Sequence, residues 1–353
     1  MQSTFLLYGA NGYTGTLIAR YAVQYNLQPI LAGRREEVLA PLAKKLRLPF
    51  KVIDLHDTRA LKAALQEVKV VVHAAGPFEF TARQMIDACL QTGTHYLDIN
   101  GDIAVFEMLK GYDEAARQNG IMIMPGVGFD VVPTDCTAVL LKKLLPDAVS
   151  LKLAFASLGG GLSHGTATTM ANKLGEGGAE RKDGKIIRKP LGANGMWIDF
   201  GVKKLFVMSI PWGDISTAFT STGIPNIETF TGIKPATYRF LKFQPLFNWL
   251  LRTHFLRSYI KKQINRRPPG PTDEIRSKAK SLVWGQVTNA TGKKAIVRLS
   301  GPDGYTLTTH STLLITQKVL QGSFKSGFQT PATVYGEDLV LEIPGVESEI
   351  VEG

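Results

Sequence analysis

The sequence predicts an α/β protein: a Rossmann-type, doubly wound parallel sheet, followed by a second α+β domain with a mostly antiparallel sheet. The chain opens on an apolar run at residues 4–8, a glycine-rich turn at 9–15 and a helical pattern at 16–22. Strand and helix patterns then alternate to about residue 125, the rhythm of parallel strands joined by crossover helices. From about residue 149 the pattern changes to short strand-like runs.

The turn Gly9-Ala10-Asn11-Gly12-Tyr13-Thr14-Gly15 has GxxGxxG spacing between strand and helix, the entry of a dinucleotide-binding domain. Gly9 permits the turn, Gly12 lets backbone approach a pyrophosphate, and Gly15 lets the helix pack close to the strand. The helix N-terminus adds free N–H groups and a positive dipole end. Residues 28–32 read as the second strand, which ends in Gly33-Arg34-Arg35. An NAD site usually places a carboxylate there for the ribose 2′-OH. Two guanidiniums suit a 2′-phosphate instead, so NADP(H) is expected in preference to NAD(H). Glu36 and Glu37 open the next helix, where carboxylates suit the dipole.

Residues 51–54 read as the third strand. Asp54 at its end can accept from the adenine amino group or serve as a cap. A helix capped by Asp57 follows at 58–67, then a nearly continuous apolar strand at 68–75. Ligands of a doubly wound sheet lie beyond the carboxyl ends of its strands. The loop Ala75-Gly76-Pro77-Phe78 is therefore a candidate for cofactor contact. A helix at 81–92, a strand at 96–100 carrying Asp98 and Asn100, a helix at 103–119 and a strand at 121–124 complete six strands. The bend at 125–135 holds two glycines and two prolines. Asp130 and Asp135 flank it, where a carboxylate either positions substrate or caps the helix at 134–145.

In the second half, residues 150–156, 205–210, 216–220, 282–288, 294–299 and 305–309 read as strands. Residues 173–195, rich in Gly, Lys and Arg, read as a mobile surface loop, and the stretch from 330 as a helix and tail. The expected domains are 1–130 and 131–329, with the helix at 330–353 packing back on the first. His164, in Ser163-His164-Gly165-Thr166, is a candidate proton donor, since imidazole is the side chain most often used for proton transfer.

The 353 residues carry a net charge of +11, which suits an anionic cofactor or an anionic membrane surface. No basic–aromatic nucleic-acid motif is visible, so nucleic acid is not an expected partner. Lys234, Arg239, Lys242, Arg252, Arg257, Lys261, Lys262, Arg266 and Arg267 cluster without a carboxylate among them, and large apolar residues interleave with them at 236–262. Such a segment either lies in a membrane interface or packs on the fold with its cationic heads in water. With two cysteines, Cys89 and Cys136, no disulfide framework is expected. No Cys/His cluster has metal-ligand spacing, so no metal is expected. With no leader pattern and no 18-residue apolar run, a cytoplasmic protein is expected, at most peripheral to a membrane.

The stretches Gly9 to Gly15, Ala32-Gly33-Arg34, Ala74 to Phe78, His95 to Gly101, and Pro125 to Asp135, together with Gly165-Thr166, carry a resemblance to the saccharopine dehydrogenase-like oxidoreductases. The branch most similar is that of the membrane-associated saccharopine dehydrogenase-like proteins and the trans-acting enoyl reductases. The resemblance implies a Rossmann domain, an α/β second domain with a substrate cleft, and NAD(P)-dependent hydride transfer. It transfers no substrate. The reading that follows is an NADPH-dependent reductase of a hydrophobic carbonyl, imine or enoyl compound, with a homodimer as a possible assembly. The rival is a non-catalytic NADP-binding protein that docks on a membrane or partner through 236–262.

Overall fold

The opening apolar run becomes strand β1 (Ser3–Tyr8), whose Phe5, Leu6 and Leu7 are fully buried, as a strand covered on both faces requires. The computed structural model describes residues 3–352. After β1 come α1 (Tyr13–Tyr21), β2 (Leu27–Gly33), α2 (Glu36–Leu46), β3 (Phe50–Val52) and α3 (Thr58–Leu65). They are followed by β4 (Val70–His73), α4 (Phe78–Thr92), β5 (His95–Asp98), α5 (Ile103–Lys110), α6 (Asp113–Gln118) and β6 (Met122–Met124). Asp57 caps α3, accepting from the Ala60 N–H at 3.0 Å.

Among the described residues these strands and a short seventh, Gly327–Phe328, form one all-parallel sheet. Its order is Gly327–Phe328, β6, β5, β4, β1, β2, β3. The direction of progression reverses between β1 and β4, which makes their carboxyl ends the switch point. Leu6, Val71, Tyr96 and Ile123 stand in register across four strands and pack with Leu61, Leu65, Met85 and Ile86 of α3 and α4.

Contacts divide the chain into two units: Met1–Val132 with Tyr305–Tyr335, and Pro133–Gly304 with Gly336–Gly353. The first unit thus contains residues 305–329, which the sequence reading assigned to the second domain. The reason is a helix, Gly304–Leu320, where a strand was expected at 305–309. Its threonines carry β propensity, yet Thr309 and Thr316 donate to the carbonyls four residues back, at 2.8 and 2.7 Å. Leu307, Leu313, Ile315 and Val319 are buried, and burial overrides propensity.

Among the described residues the second unit holds a mixed sheet that is antiparallel except for one pairing, Ala148–Leu158 with Asn226–Gly232. The expected strand at 216–220 is a buried helix, Asp214–Thr222, ended by Gly223 at φ +68°. The expected mobile loop at 173–195 contains a hairpin, Gly178–Lys182 and Lys185–Lys189, joined by the two-residue turn Asp183-Gly184. The expected helix at 330–353 is only Pro331–Tyr335. A 3₁₀ turn at Glu337–Glu342 and a strand at Glu347–Glu352 follow, the strand closing the edge beside Lys294–Pro302. Residues 235–264 form short helices, Pro235–Leu241, Asn248–Leu251 and His254–Ile264, with a 3₁₀ turn at Gln244–Phe247. Among the described residues no helix is long and apolar enough to cross a membrane.

Candidate functional site

The parallel sheet puts the loops after β1, β4, β5 and β6 at one end of the first unit. The turn after β1 is tight. Gly9 sits at φ +87°, and a Cβ there would lie 2.7 Å from the Ala74 carbonyl carbon and the Ala75 nitrogen. A Cβ on Gly15 would run into the Gly9 carbonyl oxygen and stand 2.9 Å from the Ala10 Cα. These two positions therefore exclude any side chain. Gly9 N–H and Ala10 N–H both donate to the Ala32 carbonyl, at 2.8 and 3.3 Å, which stitches the turn to β2.

Asn11 and Gly12 are exposed, and Gly12 is the N-cap of α1, which has no side-chain cap. No side chain occupies the N-terminus of this nine-residue helix, and an uncapped helix N-terminus is the kind of end that receives a phosphate. Tyr13 sits at the mouth, its ring edge-on to Tyr305 at 5.0 Å. Thr14 is half-buried beside it. The residues present fit a dinucleotide: a turn that excludes side chains at Gly9 and Gly15, a helix N-terminus with no side-chain cap and, next to both, cations.

Those cations are Arg34 and Arg35, exposed directly after β2. Gly33 ends the strand against the glycine turn, where a Cβ would stand 3.0 Å from the Asn11 amide oxygen. Arg35 reaches only a weak, exposed contact with Glu37 at 3.9 Å. Burial pushes the Tyr8 hydroxyl up to about 12, with Arg34 pulling it down and Asp54 pushing it up, so both charges lie within electrostatic reach of it. Asp54 falls two residues beyond β3, and its Oδ1 accepts from the His56 N–H at 2.9 Å, closing its own turn.

Beyond β4, Ala75 and Pro77 are half-buried and Gly76 is exposed. The Phe78 ring turns inward, edge-on to His73 at 5.2 Å. Burial lowers His73 to about 3, so its imidazole is neutral. The Tyr96 hydroxyl donates to Asp98 Oδ2 at 2.7 Å, which leaves His73 Nδ1 to donate to the Tyr96 oxygen at 3.3 Å. Asp98 Oδ1 also accepts from the Asn100 and Gly126 N–H groups at 2.9 and 3.0 Å. Burial raises Asp98 to about 6 against the pull of these three bonds. Asp98 thus ties β5 to the loop after β6.

Asp130, on that same loop, has the opposite environment. Its Oδ1 is buried with no hydrogen-bond partner, and burial alone raises it to about 7. Its carboxyl lies over Gly101, where a Cβ would stand 2.8 Å from Oδ2. The neighbouring Asn100 Nδ2 is also buried without a partner. Helix Gly304–Leu320 pins this loop: Thr308 Oγ1 accepts from Phe129 N–H at 2.9 Å, and Ser311 Oγ donates to the Val127 carbonyl at 2.7 Å. Sequence reasoning missed Tyr305 and Thr308 as neighbours of the site. The one available signal was Asp303-Gly304, a helix-start pattern outweighed by the threonines that follow.

The other two candidates belong to the second unit. His164 opens helix His164–Asn172, its Nε2 donates to the Arg267 carbonyl at 2.6 Å, and its N–H donates to the Pro269 carbonyl. Only Nδ1 is left for other chemistry. Asp135 is fully buried and bonded to the Ser221 hydroxyl.

Comparison with known proteins agrees with this geometry. The family model described as Saccharopine dehydrogenase NADP binding domain matches residues 5–124. The chain is similar to the Lipid droplet localized protein of Caenorhabditis elegans, 28% identical over 203 residues, 53% of this chain and 48% of that one. It is 25% identical to the Saccharopine dehydrogenase-like oxidoreductase of Bos taurus over 44% of this chain and 41% of that one. The Trans-acting enoyl reductase of Mycobacterium ulcerans (strain Agy99) is 28% identical over 37% of this chain and 33% of that one. The matches thus span about half or less of each relative's length. Saccharopine dehydrogenase (L-Glu forming) from Saccharomyces cerevisiae has the same fold, with a TM-score of 0.67 at 15% identity, covering 99% of this chain and 100% of that one.

Proposed function

We propose, from a chain that is saccharopine dehydrogenase-like and carries that family's NADP binding domain over residues 5–124, that it is an NADPH-dependent reductase of a hydrophobic carbonyl, imine or enoyl compound. The observation that carries this reading is the open glycine cradle beside Arg34 and Arg35, with no carboxylate where β2 ends. The backbone N–H groups at the start of α1 hold the pyrophosphate. Arg34 and Arg35 hold the 2′-phosphate, and a guanidinium plane can stack on the adenine. The loop Ala75–Phe78 contributes backbone contact near the switch point. When bound, NADPH supplies the hydride.

Asp130 holds the proton that the reduced substrate needs. Its carboxyl keeps that proton near neutral pH, and a group poised there serves proton transfer best. His164 is the weaker choice, because its Nε2 proton already serves the Arg267 carbonyl. The names of two relatives, an enoyl reductase and a protein localized to lipid droplets, support a hydrophobic substrate.

Calorimetric titration with NADPH and NADH tests the reading. NADPH binds at least about ten-fold tighter, the work of charge-assisted contacts to one phosphate. Arg34→Glu with Arg35→Ala removes that margin and leaves NADH affinity nearly unchanged. Equal affinities before and after the change overturn the 2′-phosphate assignment. NADPH binding without turnover of any carbonyl, imine or enoyl compound favours the non-catalytic docking protein.

A further inference from the structure

Between Glu228 and Asp273 the chain carries nine Lys and Arg residues and no carboxylate. The same stretch exposes large apolar side chains that folding ordinarily hides. Phe240, Trp249 and Phe255 are 75%, 72% and 83% exposed, and Phe243, Leu246 and Phe247 are exposed with them. An apolar patch interleaved with charge of one sign marks an interaction surface.

The segment is held in place from within the second unit. Arg252 Nε donates to the Gly175 carbonyl at 2.9 Å, and Arg257 Nη2 to the Leu174 carbonyl at 2.6 Å. Arg257 also faces Glu176 at 3.6 Å. Two of the nine cations thus anchor the segment. Helix His254–Ile264 buries Ile264 and turns Phe255, Tyr259 and Lys262 outward, at i, i+4 and i+7, as one stripe. Lys242 lies over the Tyr238 ring at 5.0 Å, and Lys262, Arg266 and Arg267 are exposed.

We propose that residues 238–267 form a peripheral docking surface for anionic phospholipid, with the aromatic side chains at headgroup depth and the free cations on the phosphates. Aromatic and leucine side chains beside Lys and Arg are what a lipid interface selects. A second copy is disfavoured as the occupant, since a two-fold contact would set the same acid-free cations against each other. This surface is built from second-unit residues that have no part in the cofactor assignment, and it goes beyond the reductase reading.

Flotation of the full chain with vesicles tests it, using phosphatidylcholine alone or with about a third phosphatidylserine. The chain floats with the anionic vesicles only, the Trp249 environment shifts fluorescence to the blue, and high salt releases the protein. Lys242→Gln with Lys262→Gln lowers partition roughly twenty-five-fold, about five-fold per charge near the surface. Trp249→Glu with Phe255→Glu abolishes flotation. NADPH affinity of these variants stays at the parent value, which separates lost docking from lost folding. Equal binding to neutral and anionic vesicles overturns the proposal, as does parent-like flotation of the variants. A change of oligomeric state in the aromatic variant, without vesicle binding by the parent, assigns the surface to a second copy. Failed NADPH titration alongside intact flotation overturns the reductase reading alone.

Discussion

At the scale of single residues, Asp98 and Asp130 show environment deciding what one side-chain type does. Asp98 accepts three hydrogen bonds and is a structural tie, whereas Asp130 has a buried oxygen with none. The native Asp130 carboxyl titrates near 7 against an ordinary value of 3.8. The folded chain therefore holds a proton there that the unfolded chain releases, and stability falls as pH rises through that window. Asp130→Asn equals the parent near pH 4, gains on it as the pH rises toward 7, and keeps its gain above. A gain on the order of 1–3 kcal/mol at pH 8 is expected, read by urea denaturation at several pH values. His73, neutral and lowered to about 3, acts oppositely, losing stability as pH falls below 6.5. The comparison with the variant isolates Asp130 from it, and a pH-independent difference would show that the carboxyl is solvated or paired. The candidate residue itself was visible in the sequence. Its lack of a partner was not, because that depends on Gly101 lying against it.

At the scale of elements, the hairpin Gly178–Lys182 and Lys185–Lys189 carried an Asp-Gly turn signal that charge and glycine content obscured. What anchors it is Arg181, nearly buried, which donates to the Ile215 and Gly184 carbonyls at 2.7 and 2.6 Å and stacks on Phe219 at 4.2 Å. Arg181→Met keeps the apolar stem but removes both hydrogen bonds, the one to Ile215 buried, together with the stacking on Phe219. It should cost about 2–4 kcal/mol in chemical denaturation. A cost under about 0.5 kcal/mol would mean that water replaces the guanidinium there. Helices Asp214–Thr222 and Gly304–Leu320 carry a strand-like local pattern for one reason: both are rich in Ser and Thr. Such residues favour strands when exposed, but they return their hydroxyls to the helix backbone when buried, as Thr217, Ser221 and Thr309 do.

At the scale of the whole molecule, each unit is assembled from two stretches of chain. Residues 1–130, expected as a domain, lack the helix Gly304–Leu320 and the seventh strand. Phe328 N–H donates to Asp113 Oδ1 at 2.7 Å, and Gly327 N–H to the Ile121 carbonyl at 2.9 Å. A fragment ending at Val132 therefore exposes the β6 edge and the bend after it. Circular dichroism and amide dispersion should show no cooperative melt for this fragment. Joining residues 305–335 through a flexible linker should restore one, together with NADPH binding. A cooperative melt of the short fragment would show that the returning segment is dispensable.

Local features are legible from the residues alone: the strand–glycine–helix entry, the two arginines after β2, the Asp57 cap and the acid-free aromatic segment. Each is a property of neighbouring residues, so spacing and residue type suffice to read it. Tertiary structure alone decided that helix Gly304–Leu320 lies in the first unit, that strand Glu347–Glu352 closes the second sheet, and that Asp130 keeps a buried oxygen unpaired. Those depend on contacts between residues far apart in the chain, where burial outweighs local propensity and no short pattern records the partner.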